Sequence, residues 1–153
     1  MKVVLFQPQI PQNTGNISRT CFLTSTGLVL VKPLGFSVSA KSVKRAGLDY
    51  WNQLDLELID DLEKYLEDKI DFFFFSSKAQ KIYVDAPYSP NSLLIFGGEN
   101  DGISDLFWEK WPDRFYKIPM KDKGRCLNLS VSAGVVIYEA LRAQNFIPLS
   151  CSS

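Results

Sequence analysis

The chain has 153 residues with 17 basic and 17 acidic side chains, so its formal net charge is zero; 46% are hydrophobic, 13% aromatic and 22% charged. These values exclude a disordered chain, a collagen and a coiled coil, and the length suits one domain with its own core. No histidine is present, which excludes Ser-His and Cys-His nucleophiles, imidazole-based zinc sites and any histidine acid or base.

Cys21, Cys126 and Cys151 are odd in number, far apart and without a C-x-x-C pair. Neither a disulfide framework nor a zinc ribbon is supported, so a reducing, cytoplasmic setting and no metal are expected. The apolar runs are of strand length, so no segment is expected to span a membrane. Charge is uneven along the chain. Residues 1–54 carry six basic groups and one acidic group, Asp49. Residues 55–71 carry eight acidic groups against Lys64 and Lys69, and residues 72–153 nine basic and eight acidic ones. Neutrality is therefore an average of the kind that matters for binding.

In chain order, Val3 to Phe6 reads as a buried strand, broken by Pro8 and Pro11. Helical spacing begins at Asn13, the expected cap, with Ile17, Cys21 and Phe22 on one stripe and Gly27 as the stop. Leu28 to Val31 is a second strand, and Ser39 to Ala46 a short basic helix ended by Gly47. Leu54, Leu56 and Leu58 alternate with charges, as in an edge strand with one wet face. Asp60 to Asp68 reads as an acidic helix.

Phe72 to Phe75 is an apolar run, expected as a central strand buried on both faces. Leu93 to Phe96 is another, followed by Gly97 and Gly98. A short helix over 103–110 and a strand over 115–118 follow, then a last helix from about Leu129 to Asn145. Its Ala133, Val136, Ile137, Ala140 and Leu141 form a stripe, with Val131 and Val135 off it. Such a helix is either deeply buried or packed against a second subunit. The alternation predicts a single α/β domain over 1–147, a mostly parallel sheet flanked by helices, with a frayed tail over 148–153.

In such sheets ligands sit beyond the carboxyl ends of strands, and three loops there carry suitable residues. Asn13-Thr14-Gly15-Asn16-Ile17-Ser18-Arg19 opens a helix whose free N–H groups suit an anion such as phosphate; at six residues' spacing Asn13 and Arg19 are both expected to face that end. An Asn cap plus a surface arginine explains the same residues. Phe96-Gly97-Gly98-Glu99-Asn100-Asp101-Gly102 permits close approach of a ligand to backbone, or is a plain glycine turn. Ile118 to Ser130 gathers Lys121, Lys123 and Arg125 in one loop, basic enough for phosphate or simply solvated.

In this order and spacing the three segments resemble the motifs of the SPOUT class of RNA methyltransferases. Asn13 to Arg19 is similar to its Asn-x5-Arg block, Phe96 to Gly102 to its Phe-Gly-x-Glu-x-x-Gly block, and Ile118 to Glu139 to its last block and C-terminal helix. The opening Pro8 to Ile17 and the stretch Arg45 to Tyr50 resemble one branch, which methylates the ribose 2'-oxygen of the wobble pyrimidine of tRNA. The resemblance covers about residues 3–145.

It implies a C-terminal trefoil knot, a homodimer, tRNA as partner, and S-adenosyl-L-methionine as cofactor. The cofactor would be held by Phe75, Gly97, Gly98, Ile118, Cys126 and Leu127, largely through backbone. Direct in-line transfer is implied, so positioning carries the rate. A guanidinium stays protonated, so Arg19 is assigned to the phosphate beside the target ribose and to polarising its hydroxyl. Asn13, Glu99 and Asn128 would orient these groups. Asn16, Arg125 and Tyr138 would meet substrate, with Lys41, Lys44, Arg45, Lys121 and Lys123 on the RNA face. The chain departs from the family at Cys126, where serine is usual, and at Val131-Ser132, where Asn-Ala is common. A non-catalytic RNA-binding protein and a ribosomal-RNA methyltransferase are the alternatives.

Overall fold

In a computed structural model, residues 1–37, 50–121 and 124–149 are described. Seven strands form one sheet: β1 (Lys2–Phe6), β2 (Gly27–Val31), β3 (Leu56–Ile59), β4 (Phe72–Phe75), β5 (Lys81–Ile82), β6 (Leu93–Phe96) and β7 (Phe115–Lys117). Their order is β3-β2-β1-β6-β4-β7-β5, and every pairing is parallel. The helices are α1 (Pro11–Leu23), α2 (Leu62–Leu66), α3 (Asp105–Lys110) and α4 (Leu129–Ala143). The expected α/β architecture is therefore present.

Strand alternation divides the core into two layers. Val3, Leu5, Leu28, Leu30, Phe73 and Phe75 face Ile17 and Cys21 of α1 and the Ala133–Leu141 stripe of α4. Val4, Val29, Phe72, Phe74 and Ile95 face Leu62 and Leu66 of α2 and Phe107 of α3. The run Phe72 to Phe75 is buried on both faces, as expected for a central strand between covering helices. Phe74 is fully buried and stacks on Phe115 at 4.7 Å and Phe107 at 5.6 Å between ring centroids. Truncating it to alanine is expected to cost about 3–5 kcal/mol.

Several boundaries differ from the sequence reading. Helix α1 begins at Pro11, which suits a first helical position because its missing N–H has no intrahelical acceptor. Asn13 lies inside the first turn and is not the cap. Gly27 does not stop α1. Ser25, at φ 51°, takes the left-handed position after Thr24, and the Thr26 N–H reaches back to the Cys21 carbonyl at 2.9 Å. Gly27 instead opens β2, where a Cβ would lie 2.6 Å from Asp55 Oδ2.

The acidic segment forms only the five-residue α2, capped by the Asp61 side chain accepting from the Lys64 N–H at 3.1 Å. Helix α3 starts at Asp105, with Ser104 as cap, and β7 ends at Lys117. Strand β3 is at the sheet edge, yet Leu58 stays 44% exposed. Strand β5 was not read from sequence. The helix expected over 39–46 lies outside the described residues. At the other end, Ile147–Leu149 form a 3-10 turn and Leu149 packs against the core, while 150–153 lie outside the described residues. Among the described residues no helix is long and apolar enough to cross a membrane.

Candidate active site

The sheet order builds the site. Strand β6 lies beside β1, and β4 lies between β6 and β7. The loops after β1, β6 and β7 therefore leave one end of the sheet together, with the loop after β4 among them. They enclose a cleft of about 540 Å³. Phe75, Gly97, Gly98, Ile118, Cys126 and Leu127 all line it, as do Asn13, Glu99 and Asn128. Ile103, Trp108 and Leu129 add apolar wall. Apolar walls and polar groups contribute about equally to this cleft, and a concave site with polar groups fixed at its walls is a usual form of small-molecule site.

The loop after β6 doubles back on itself. The Gly102 N–H donates to the Gly98 carbonyl at 3.0 Å, and Gly102 has φ 68°, a conformation glycine adopts without strain. A Cβ on Gly97 would lie 2.2 Å from the Gly102 carbonyl carbon, so the turn closes only without a side chain there.

This turn aims Glu99 at the start of α1. Its carboxylate accepts from the Gln9 N–H at 2.8 Å, the Ile10 N–H at 3.2 Å and Asn13 Nδ2 at 2.9 Å. The anion expected at this helix start is thus supplied by the chain itself, complementing the helix dipole. Partial burial pushes the Glu99 carboxyl up, but these hydrogen bonds outweigh it and hold the group below its ordinary value.

The network continues into the last helix. Asn13 Oδ1 accepts from Asn128 Nδ2 at 2.9 Å. Asn128 caps α4, its Oδ1 accepting from the Ser130 N–H at 2.8 Å and the Ser130 hydroxyl at 2.7 Å. Glu99, Asn13 and Asn128 therefore clamp three loops that are distant in sequence. Cys126 Sγ donates to Ser77 Oγ at 3.4 Å, joining the loop after β7 to the loop after β4.

Arg19 is not part of this cluster. Six residues carry it about 9 Å along the helix and roughly 240° around the axis from Asn13. It is exposed, outside the cleft lining and without a hydrogen-bond or ion-pair partner among the described residues. The expectation that Asn13 and Arg19 face the same end is corrected on those grounds. Asn16, Lys121, Arg125 and Tyr138 are likewise exposed and outside the cleft lining. Tyr138 makes no hydrogen bond to Arg125, from which it is separated by the first turns of α4. Lys41, Lys44, Arg45 and Lys123 lie outside the described residues.

Sequence reading missed Ser76, Ser77, Lys78 and Trp108, which also line the cleft. The available signal was position: Ser76 to Lys78 directly follow the central Phe72–Phe75 strand, at its carboxyl end. Among the described residues no group of three or more His, Cys, Asp or Glu side chains is arranged to hold a metal.

Fold and cleft agree with the similarities of the chain. Residues 1–138 match the SpoU rRNA Methylase family, and the chain belongs to it. A Listeria monocytogenes protein, provisionally named a tRNA (cytidine(34)-2'-O)-methyltransferase, is 46% identical over 149 residues, or 94% of this chain and 88% of its own. A solved structure described as giving insight into 2'-OH methylation of C/U34 on tRNA is 38% identical, with a TM-score of 0.85, covering 95% of this chain and 96% of that one. The methyltransferase AviRb of Streptomyces viridochromogenes, solved with S-adenosylmethionine, shares the fold at a TM-score of 0.81 and 22% identity, covering 95% of this chain and 61% of its own.

Proposed function

We infer that the chain methylates the ribose 2'-hydroxyl of the pyrimidine at position 34 of tRNA, using S-adenosylmethionine. The observation that carries this is the cleft itself. Glycine backbone, apolar walls and the Glu99–Asn13–Asn128 clamp meet at the carboxyl ends of β1, β6, β4 and β7, in a chain whose family methylates RNA. The volume and the mixed apolar and polar lining fit an adenosyl group, and the exposed edges of Ile10, Met120 and Leu127 are free to cover it. When bound, that cofactor would supply a methyl group on a sulfonium to the ribose 2'-oxygen, with the hydroxyl proton released to solvent.

The chain's residues then have positional tasks. Gly97, Gly98, Ile118, Cys126 and Leu127 hold the cofactor, mainly by backbone. Glu99, Asn13 and Asn128 keep the three loops in register, which matters because in-line transfer depends on alignment. Arg19 binds the phosphate beside the target ribose, and Asn16, Lys121, Arg125 and Tyr138 extend the RNA contact. Electrostatic binding through these cations makes affinity fall with salt.

The same proposal includes a homodimer with a cleft shared between protomers. It is supported by Val131 and Tyr138, 50% and 52% exposed on the outer face of α4, and by Arg19 standing outside its own cleft. A C-terminal trefoil knot and a cytoplasmic location complete the reading. The buried Cys21 and exposed Cys126, both unbridged, accord with a reducing compartment.

The test is methyl transfer from labelled S-adenosylmethionine to unmodified tRNA, followed by mapping of the modified nucleotide. A 2'-O-methyl at nucleotide 34, lost in Arg19→Ala, is the expected result. Transfer only to ribosomal RNA, or none to any RNA, overturns the proposal.

A further inference from the structure

Lys78 is the only cation among the described residues that line the cleft. The described basic residues of the loop after β7, Lys121 and Arg125, are absent from its walls. The position of Lys78 follows from topology. Strand β4 lies between β6 and β7, so the loop that leaves its carboxyl end emerges between the two loops that carry Gly97–Gly98 and Cys126–Leu127.

That loop is held at two points. The Lys78 N–H donates to Ser76 Oγ at 3.3 Å, and Ser77 Oγ accepts from Cys126 Sγ. The Lys78 side chain itself is exposed and has no ion-pair partner among the described residues. Of the two carboxylates lining the cleft, Glu99 is committed to the start of α1. Asp101, on the neighbouring loop after β6, is exposed and has no hydrogen-bond or ion-pair partner among the described residues. Among the described residues the cleft therefore offers one free cation and one free carboxylate, the complement of a zwitterionic amino-acid group.

We propose that Lys78 binds the carboxylate at the amino-acid end of S-adenosylmethionine and so sets the direction in which the cofactor lies. This rests on the cofactor reading above. A phosphate of the RNA is the other anion with suitable chemistry. Lys78 favours the carboxylate because it stands between the two cofactor loops, while Arg19, Lys121 and Arg125 stand outside the cleft lining.

The experiment is calorimetry of wild type, Lys78→Met and Lys78→Arg with three ligands: S-adenosylmethionine, S-adenosylhomocysteine and 5'-methylthioadenosine, which lacks the amino-acid end. Lys78→Met is expected to weaken the first two by about 10- to 100-fold, as for loss of one charged hydrogen bond. It should leave 5'-methylthioadenosine and tRNA binding unchanged. Lys78→Arg should recover part of the loss. Equal weakening of all three ligands, no weakening of any, or weakening of tRNA alone overturns the assignment. If wild type binds none of the three, the cofactor reading fails first, and the two failures are thereby told apart. Because Lys78 is exposed, unchanged thermal melting of Lys78→Met serves as the folding control.

Discussion

Asn128 Nδ2 donates to Asn13 Oδ1 at 2.9 Å across 115 positions of chain. One bond thus ties the cap of the last helix to the first turn of the first. Asn13 is buried, and its other amide atom donates to Glu99. Asn13→Ala leaves both partners short of a bond and is expected to cost about 1–3 kcal/mol. Asn128→Ala also removes a helix cap, worth about 0.5–2 kcal/mol. Because they share a bond, the double variant should cost less than the two losses together, by about 0.5 kcal/mol or more. Urea unfolding of the four proteins checks this; strict additivity would refute the link.

Glu99 carries a pH prediction. Its folded pKa is lowered, since hydrogen bonds to the charged form outweigh burial. Its contribution to stability is therefore complete above the unfolded value, about 4.3, and is lost as pH falls through the folded value. Glu99→Gln should have a lower melting temperature at pH 7 and a shallower decline between pH 5 and 3 than wild type. Parallel melting curves against pH would rule out this role.

The thiols should separate cleanly. Cys21 is buried, and burial pushes its pKa up to about 12, so its reactive thiolate is scarce in the native protein at ordinary pH. Cys126 is exposed and lines the cleft. In Cys151→Ser, one thiol should react with a disulfide reagent before unfolding and a second only after it. Saturating S-adenosylmethionine should slow the first reaction. Fast modification of Cys21 in the folded state would contradict the packing.

The proposed dimer, with its cleft shared between protomers, predicts complementation. Arg19→Ala and Asn128→Ala should each lose most activity alone. Mixed after reversible dissociation, they should regain part of it, because one of the two clefts in a mixed dimer then carries neither lesion. Val131→Glu, placed on the exposed face of α4, should abolish the regain and shift the sedimentation coefficient to that of a single chain. Absence of regain with dimers intact would put Arg19 in its own protomer's cleft.

Much of the fold was legible because local pattern and tertiary position agree. The run Phe72 to Phe75, the Ala133–Leu141 stripe and the alternation of strand with helix each report a burial that the sheet then provides. What was illegible depends on distant groups. Asn13 looked like a cap because capping is local; its side-chain hydrogen-bonding partners come from positions 99 and 128. Strand β5 is two residues long, both exposed, and exists by pairing with β7, so it has no periodicity to read. Lys78 follows an apolar run with no glycine or motif around it, and only the order of strands brings it to the cleft. Arg19 misled by spacing, since residues in one motif need not share one side of a helix.

The bond between Asn13 and Asn128 also constrains when this protein becomes competent during its own synthesis. Only the part of the cleft wall up to Phe96 exists once β6 has been made; Gly97 to Ile103, Trp108, Ile118 and Met120 follow, and the clamp waits for the ribosome to deliver Asn128. A contact of such long range is slow to form, because the intervening chain loses entropy before the bond returns anything. A nascent chain arrested before α4 is therefore expected to hold no cofactor, because the wall from Cys126 to Leu129 and the Asn128 clamp are still missing.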